Sequence, residues 1–166
     1  MAGLTIYRTA IRPEWIDYNG HLRDAYYTVI VSLACDALMD RVGLDAAHRQ
    51  RTGGTLYTVE MHVHYLSEVK AAAEVLVNLR VLALDHKRLH AVFEVLRADA
   101  PADAAAAATV EVLLLHVTQS PAGTRTASFP PEVARALATL QAETAALPAA
   151  GPASRQITLR RAPGPA

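Results

Sequence analysis

Residues 17–22 read Asp-Tyr-Asn-Gly-His-Leu and separate a strand-like opening, Ile6 to Trp15, from a long segment with helical periodicity. The run places a carboxylate, an amide, a glycine and an imidazole within five positions. If a helix starts near Asn19, its free backbone N–H groups and positive dipole end lie beside Asp17 and His21, which suits a developing oxyanion. The same residue types also serve as helix caps and in tight turns, so the run predicts either a reaction site or a structural cap.

The segment after this run predicts one long helix with a single buried face. Apolar residues recur there at a spacing of three and four, which is the period of a helix packed on one side. The members of the stripe are Tyr26, Tyr27, Ile30, Leu33, Ala34, Ala37 and Leu38. Gly43 followed by Leu44 predicts a Schellman stop. Cys35 lies inside the helix, and we interpret it as a core thiol because nothing near it in sequence would activate it.

Beyond a polar loop, His48 to Gly54, the hydrophobic period changes to two, which is typical of half-buried strands. In the first strand, apolar Tyr57, Val59, Met61, Val63 and Tyr65 alternate with polar Thr58, Glu60, His62 and His64. Three more strands follow, over 75–81, 89–95 and 109–118. Asp85-His86 is the expected turn between the strands at 75–81 and 89–95. Four strands after one helix, without crossover helices, predict an antiparallel α+β domain.

Length and composition predict one compact domain. We expect it to cover 1–147 and to end in a helix that opens at Pro130-Pro131, followed by a flexible tail rich in Ala, Pro and Gly over 148–166. Sixteen basic and sixteen acidic residues cancel, which excludes a global field for nucleic acid or an anionic membrane. The N-terminus lacks the apolar stretch of a signal peptide, and one cysteine forms no internal disulfide, so we expect a cytoplasmic protein.

The chain resembles a known family through these motifs. A strand ending in Asp17-x-Asn19-x-His21, then a long helix, then strands, resembles the hot-dog-fold acyl thioesterases of the 4-hydroxybenzoyl-CoA thioesterase-like superfamily, in which a curved antiparallel sheet wraps one helix. The same three residues look like the catalytic motif of acyl-carrier-protein thioesterases. Further stretches, at 57–60, 62–66, 68–70 and 85–90, resemble the carnitine-pathway thioesterases that act on betainyl-CoA. The chain departs from those relatives at 23–27, where it reads Arg-Asp-Ala-Tyr-Tyr.

This resemblance implies roles for the residues of the motif. Asp17 is the candidate general base for water or the candidate nucleophile, two roles that the sequence leaves open. The backbone N–H groups around Gly20 and His21 are the candidate oxyanion hole, and Asn19 would orient water or the acyl group. The His21 side chain would either donate a hydrogen bond or position Asp17. A thiol with a pKa near 8.5 leaves without much acid assistance, so one carboxylate and an oxyanion site suffice for the chemistry.

Other residues are candidates for binding. Glu60 could serve the site across a subunit interface, pair with a cationic substrate, or be an ordinary solvated carboxylate. An aromatic cage for a trimethylammonium group would use Trp15, Tyr18, Tyr26, Tyr27 and Tyr57. Lys87, Arg88 and His90 are candidates for the phosphates of coenzyme A, or for an exposed charged strand end. His62 and His64 share a face, but the sequence offers no third ligand, and we predict neither a metal nor another cofactor.

These expectations define an acyl-CoA thioesterase for a small acyl group, with betainyl-CoA as the candidate substrate. The alternatives are a non-catalytic acyl-CoA-binding module, an acyl-carrier-protein thioesterase, or a hydratase on the same fold. We also expect a homodimer or a dimer of dimers, because a single curved sheet leaves exposed strand edges and an incomplete cleft.

Overall fold

A computed structural model describes residues 3–101, 103–149 and 151–153 of the chain. Within these residues the strands are β1 (Leu4–Ala10), β2 (Gly54–Tyr65), β3 (Glu74–Leu84), β4 (Arg88–Arg97), β5 (Ala108–Ser120) and β6 (Gly123–Thr126). The helices are α1 (Asp24–Arg41), α2 (Ala46–Thr52) and α3 (Pro131–Ala145), and a short 3₁₀ helix covers Pro13–Trp15.

The strands form one antiparallel sheet in the order β1-β3-β4-β5-β2, and β6 pairs with β5. The inner face of the sheet packs against α1, and alternate residues such as Val77, Phe93 and Val110 are fully buried there. The predicted α+β hot-dog architecture is therefore confirmed. Among the described strands, β1 and β2 are the two edges of the main path.

Helix α1 confirms the predicted central helix but starts later than expected. It begins at Asp24, after Arg23 in an extended conformation, so the expectation of a start near Asn19 is wrong. Its end is the predicted Schellman motif, in which Gly43 has φ +86° and the N–H of Leu44 donates to the carbonyl of Met39 at 2.8 Å.

The buried stripe of α1 is rotated from the predicted one. Val31, Cys35 and Met39 are buried, whereas Leu33 and Ala37 are only half-buried. The periodic pattern could not choose between these neighbouring stripes, because apolar residues occupy both.

The segment predicted as a loop over 48–54 is largely a helix. Asp45 caps α2 by accepting the N–H of His48 at 2.7 Å, and Gly53, with φ +69°, ends it. Both signals were present in the sequence, but seven residues are too few to show a helical period.

Strand β2 contains a bulge that the simple alternation did not anticipate. Thr58 pairs with Leu114 and Glu60 with Leu113, so Val59 is the extra residue. The bulge reverses the side-chain parity between the two halves of the strand. Tyr57 therefore shares the outer face with Glu60, while Met61 packs against the core.

The C-terminal region confirms the predicted helix, since Val133, Leu137 and Leu140 of α3 are buried. Beyond the end of α3, the carbonyl of Pro152 accepts a hydrogen bond from the hydroxyl of Thr109 at 2.7 Å. The rest of the predicted tail, over 154–166, lies outside the described residues. In the described part of the chain, no helix is both long and apolar enough to span a bilayer.

Candidate active site

The Asp-x-Asn-x-His run forms a tight turn built around one carboxylate oxygen. Oδ1 of Asp17 accepts the N–H of Asn19 at 2.8 Å and that of His21 at 3.1 Å. The N–H of Gly20, whose φ is +83°, donates to the carbonyl of Asp17 at 3.1 Å. The run therefore forms a tight turn and does not cap a helix.

This turn changes the expected oxyanion site. The N–H groups of Gly20 and His21 both donate within the turn, so the expectation that they form an oxyanion hole is wrong for this geometry. The positive end of α1 lies nearby instead, because Asp24, the first residue of the helix, lines the same cleft as Asp17.

A cleft of about 430 Å³ lies beside the turn, between the start of α1 and the end of β2. The ionisable and aromatic residues that line it are Asp17, His21, Asp24, Tyr27, Tyr65 and Glu68, and Asn19 is also part of the wall. Three carboxylates therefore surround this space, and neither lysine nor arginine is among the described residues that line it. The cleft favours a cationic group.

Tyr65 and Glu68, on the far wall of the cleft, were not predicted as part of the site. Nε2 of His21 lies 3.0 Å from Oε2 of Glu68. The rings of Tyr27 and Tyr65 meet edge to face at 5.3 Å, and the hydroxyl of Tyr65 donates to the carbonyl of Asp24 at 3.1 Å. Backbone pairing between His21 and Lys70 brings this wall to the turn, a contact that no local spacing reveals.

Hydrogen bonds and burial set the ionisation of two groups. The pKa of Asp17 lies below its ordinary value, mainly because its carboxylate accepts the backbone N–H of His21, with further contributions from Asn19 and the charge of His21. The pKa of the Cys35 thiol is raised to about 12, chiefly by burial. Cys35 is therefore a protonated core thiol near neutral pH, as the sequence predicted.

The five aromatic residues of the predicted cage do not converge in this chain. Trp15 is buried and stacks on Tyr26 at 5.5 Å, whereas Tyr18 is 95% exposed. Tyr57 lies on the outer face of the sheet, where its hydroxyl accepts a hydrogen bond from Gln119 at 2.5 Å. Of the five, Tyr27 lines the cleft.

Glu60 lies on the opposite face of the sheet from α1 and the cleft. Its carboxylate is 3.4 Å from Nε2 of His62 on that outer face. His64 lies on the same face, with Nδ1 3.4 Å from the hydroxyl of Thr109. Among the described residues no group of three His, Cys, Asp or Glu is placed to hold a metal ion.

The basic cluster after the β3–β4 turn lies at the other end of the sheet. On β5, the position that pairs with Tyr65 at the cleft and the position that pairs with Arg88 are seven residues apart, which is roughly 23 Å of strand. Asp85 accepts the N–H groups of Lys87 and Arg88 and pairs with the Arg88 guanidinium at 2.6 Å. His90 pairs with Glu111 at 2.5 Å. One chain does not bring this cluster to Asp17.

The antiparallel sheet around one helix and the acidic cleft at the start of that helix place the protein in the class of hot-dog thioesterases. The family model described as "Thioesterase-like superfamily" matches residues 11–137, and the chain belongs to this family. It is 43% identical to the betainyl-CoA thioesterase of Pseudomonas aeruginosa over 156 residues, which cover 94% of this chain and 95% of that protein. The protein is a thioester hydrolase.

Solved structures show the same likeness. A proposed thioesterase of Pseudomonas putida superposes with a TM-score of 0.83 at 39% identity, covering 97% of this chain and 99% of that one. A Staphylococcus aureus protein solved in complex with CoA gives a TM-score of 0.76 at 26% identity, covering 96% of this chain and 92% of that one.

Proposed function

We propose that this thioester hydrolase acts on betainyl-CoA and releases betaine and coenzyme A. The observation that carries the proposal is the acidic cleft, in which three carboxylates and the Tyr27 and Tyr65 rings surround a space that no lysine or arginine of the described part of the chain lines. A trimethylammonium group is attracted by carboxylates and aromatic faces, each face contributing ~0.5–2 kcal/mol. The 43% identity to a betainyl-CoA thioesterase supports the same substrate.

Asp17 is the proposed reactive carboxylate, as general base or as nucleophile. The two backbone N–H groups of the turn donate to Oδ1, and Oδ2 is the oxygen that we assign to water or to the acyl carbon. Its lowered pKa keeps it ionised at neutral pH, which suits a nucleophile and weakens it as a proton acceptor. Asn19 lines the cleft and would orient water or the acyl group.

A homodimer, alone or as part of a dimer of dimers, completes the proposed site. Edge strand β2 presents apolar side chains that are about half exposed, Tyr57, Val59 and Tyr65. Antiparallel pairing of two β2 edges would bring the Gly54 end of one chain towards the Tyr65 end of the other. Lys87, Arg88 and His90 of one subunit would then approach the cleft of its partner, where they could hold the phosphates of CoA.

We also propose that the enzyme is cytoplasmic. Its single cysteine, Cys35, is a buried free thiol, which agrees with a reducing compartment.

The test compares betainyl-CoA with its neutral isostere 3,3-dimethylbutyryl-CoA in a thiol-release assay. The two acyl groups share a shape and differ in charge, so we expect kcat/KM to be at least ~10-fold higher for betainyl-CoA, about 1.4 kcal/mol. Asp24→Asn removes one cleft charge and should reduce that ratio. Equal rates for both substrates would contradict the betainyl assignment, and CoA-ester binding without thiol release would favour a non-catalytic binding module.

A further inference from the structure

The cleft holds a second polar pair besides the Asp17 turn. Glu68, on the segment between β2 and β3, has Oε2 3.0 Å from Nε2 of His21. The glutamate side chain is largely exposed, and that of His21 is mostly covered. Such an exposed ion pair contributes little to stability, so its effect on the orientation of the imidazole matters more than its energy.

The pair determines which ring nitrogen is available for chemistry. An ionised carboxylate only accepts hydrogen bonds. The neutral imidazole therefore carries its hydrogen on Nε2, and this N–H donates a hydrogen bond to Glu68. Nδ1 then has the free lone pair. A carboxylate that holds one ring nitrogen fixes the tautomer and stabilises the imidazolium that forms when the other nitrogen takes a proton.

We propose that Glu68 is a positioning residue. It holds the His21 ring so that Nδ1 can accept a proton from water and pass it to the leaving thiolate during thioester hydrolysis. The inference rests on the proposed function and deepens it, because it assigns proton transfer to His21 and favours Asp17 as the nucleophile. The weak basicity of Asp17 agrees with this division of roles.

Hydrolysis then proceeds in three steps. A carboxylate oxygen of Asp17 forms a bond to the acyl carbon, the carbon–sulphur bond breaks, and its electron pair leaves on sulphur. Water then attacks the acyl carbon of the anhydride and gives a proton to Nδ1 of His21, while the electron pair of the breaking carbon–oxygen bond returns to Asp17. Nδ1 finally delivers that proton to the CoA thiolate, and the second proton of water leaves with the carboxylic acid product.

Several charged or polar residues share the cleft with His21 or pair with its backbone. They are Asp17 from the turn, Asp24 and Tyr27 from α1, Tyr65 from β2, Glu68 from the segment that follows it, and Lys70, whose backbone pairs with that of His21. Of these, Glu68 has its carboxylate in direct contact with the ring. Its removal should therefore release the ring while the remaining groups stay in place.

The experiment measures kcat and KM for wild type, Glu68→Gln and Glu68→Ala, with betainyl-CoA and with the neutral isostere. The amide oxygen of glutamine can still accept the Nε2 hydrogen bond, so Glu68→Gln should retain more of the wild-type kcat than Glu68→Ala. Glu68→Ala releases the ring and should lower kcat at least ~10-fold for both substrates, with a smaller change in KM. Glu143→Gln, which removes an exposed carboxylate on α3 beside Arg41, is the matched control.

Heteronuclear NMR of the His21 ring reports its tautomer and needs no substrate. We expect the Nε2–H tautomer in wild type and a mixture of tautomers in Glu68→Ala, with His21→Gln used for assignment. The same tautomer population in both proteins would overturn the inference, and so would a loss of rate confined to the cationic substrate. Wild-type protein that releases no thiol would instead contradict the proposed function, while the NMR spectra would still test the pair.

Discussion

Oδ1 of Asp17 accepts the backbone N–H of His21 at 3.1 Å, so the proposed nucleophile also shapes the loop that carries it. Replacement by asparagine keeps an oxygen in that position and removes the charge. We therefore expect Asp17→Asn to fold normally and to lower kcat by at least ~10²-fold in the thiol-release assay. Glu60→Gln changes a carboxylate on the opposite face of the sheet and should leave turnover near that of wild type. A larger loss at Glu60 than at Asp17 would move the catalytic role to the strand.

The Asp85 turn should make stability depend on pH. The pKa of Asp85 is well below its ordinary value, because the carboxylate accepts the N–H of Lys87 and pairs with Arg88. A group whose pKa is lowered by folding stabilises the protein above its unfolded pKa of ~3.9, and the contribution is lost as pH falls through the folded value.

Asp85→Asn should therefore lower the urea midpoint at neutral pH, and the difference from wild type should narrow below a pH of about 4. Unfolding curves across this range provide the measurement. A difference that stays constant on acidification would show that the carboxylate charge does not matter.

Cys35 should be chemically silent in the native protein. Its thiol is buried and its pKa is about 12, so little thiolate forms at neutral pH. Alkylation followed by mass spectrometry should label Cys35 in denaturant only, and Cys35→Ala should retain turnover within ~2-fold. Rapid native labelling together with loss of activity in the alanine variant would restore the cysteine as a candidate nucleophile.

Gly54 should resist even the smallest side chain. A Cβ at this position would lie 2.8 Å from Nε2 of His48 and 3.0 Å from the hydroxyl of Thr52. We expect Gly54→Ala to destabilise the fold by ~1–3 kcal/mol through overpacking. In a double-mutant cycle measured by urea unfolding, His48→Ala should recover part of that loss, whereas strictly additive effects would exclude the proposed clash.

The β2 edge should control association. Val59 is 52% exposed at the bulge, and a lysine there would place charge in the proposed subunit contact. We expect Val59→Lys to shift sedimentation towards monomer and to reduce turnover, while Ala138→Lys on the exposed side of α3 changes neither. An active wild-type monomer at micromolar concentration would contradict the proposed assembly.

The antiparallel α+β class could be predicted because hydrophobic period distinguishes α1 from the strands that follow it, and Gly43-Leu44 marks the end of the helix. The hot-dog wrapping of the sheet around α1 was implied by the family resemblance. The candidate site could be predicted in part. Asp17 and His21 belong to one local turn. Glu68 lies 47 residues after His21 and is brought to the turn by backbone pairing between His21 and Lys70. Tyr57 was assigned to the wrong face because alternation counts residues and does not detect a bulge.

The bulge at Val59 also limits how the gene can vary in length. Removal of one residue near this point would restore simple pleating and turn either Leu56 or Met61 and its neighbours through the plane of the sheet. If the Met61 half turns, Tyr65 loses its place beside Tyr27, although no cleft residue has been replaced. A one-codon deletion in β2 should therefore be as damaging to the enzyme as a substitution in the cleft, and the spacing between Leu56 and Tyr65 is itself a functional property of the chain.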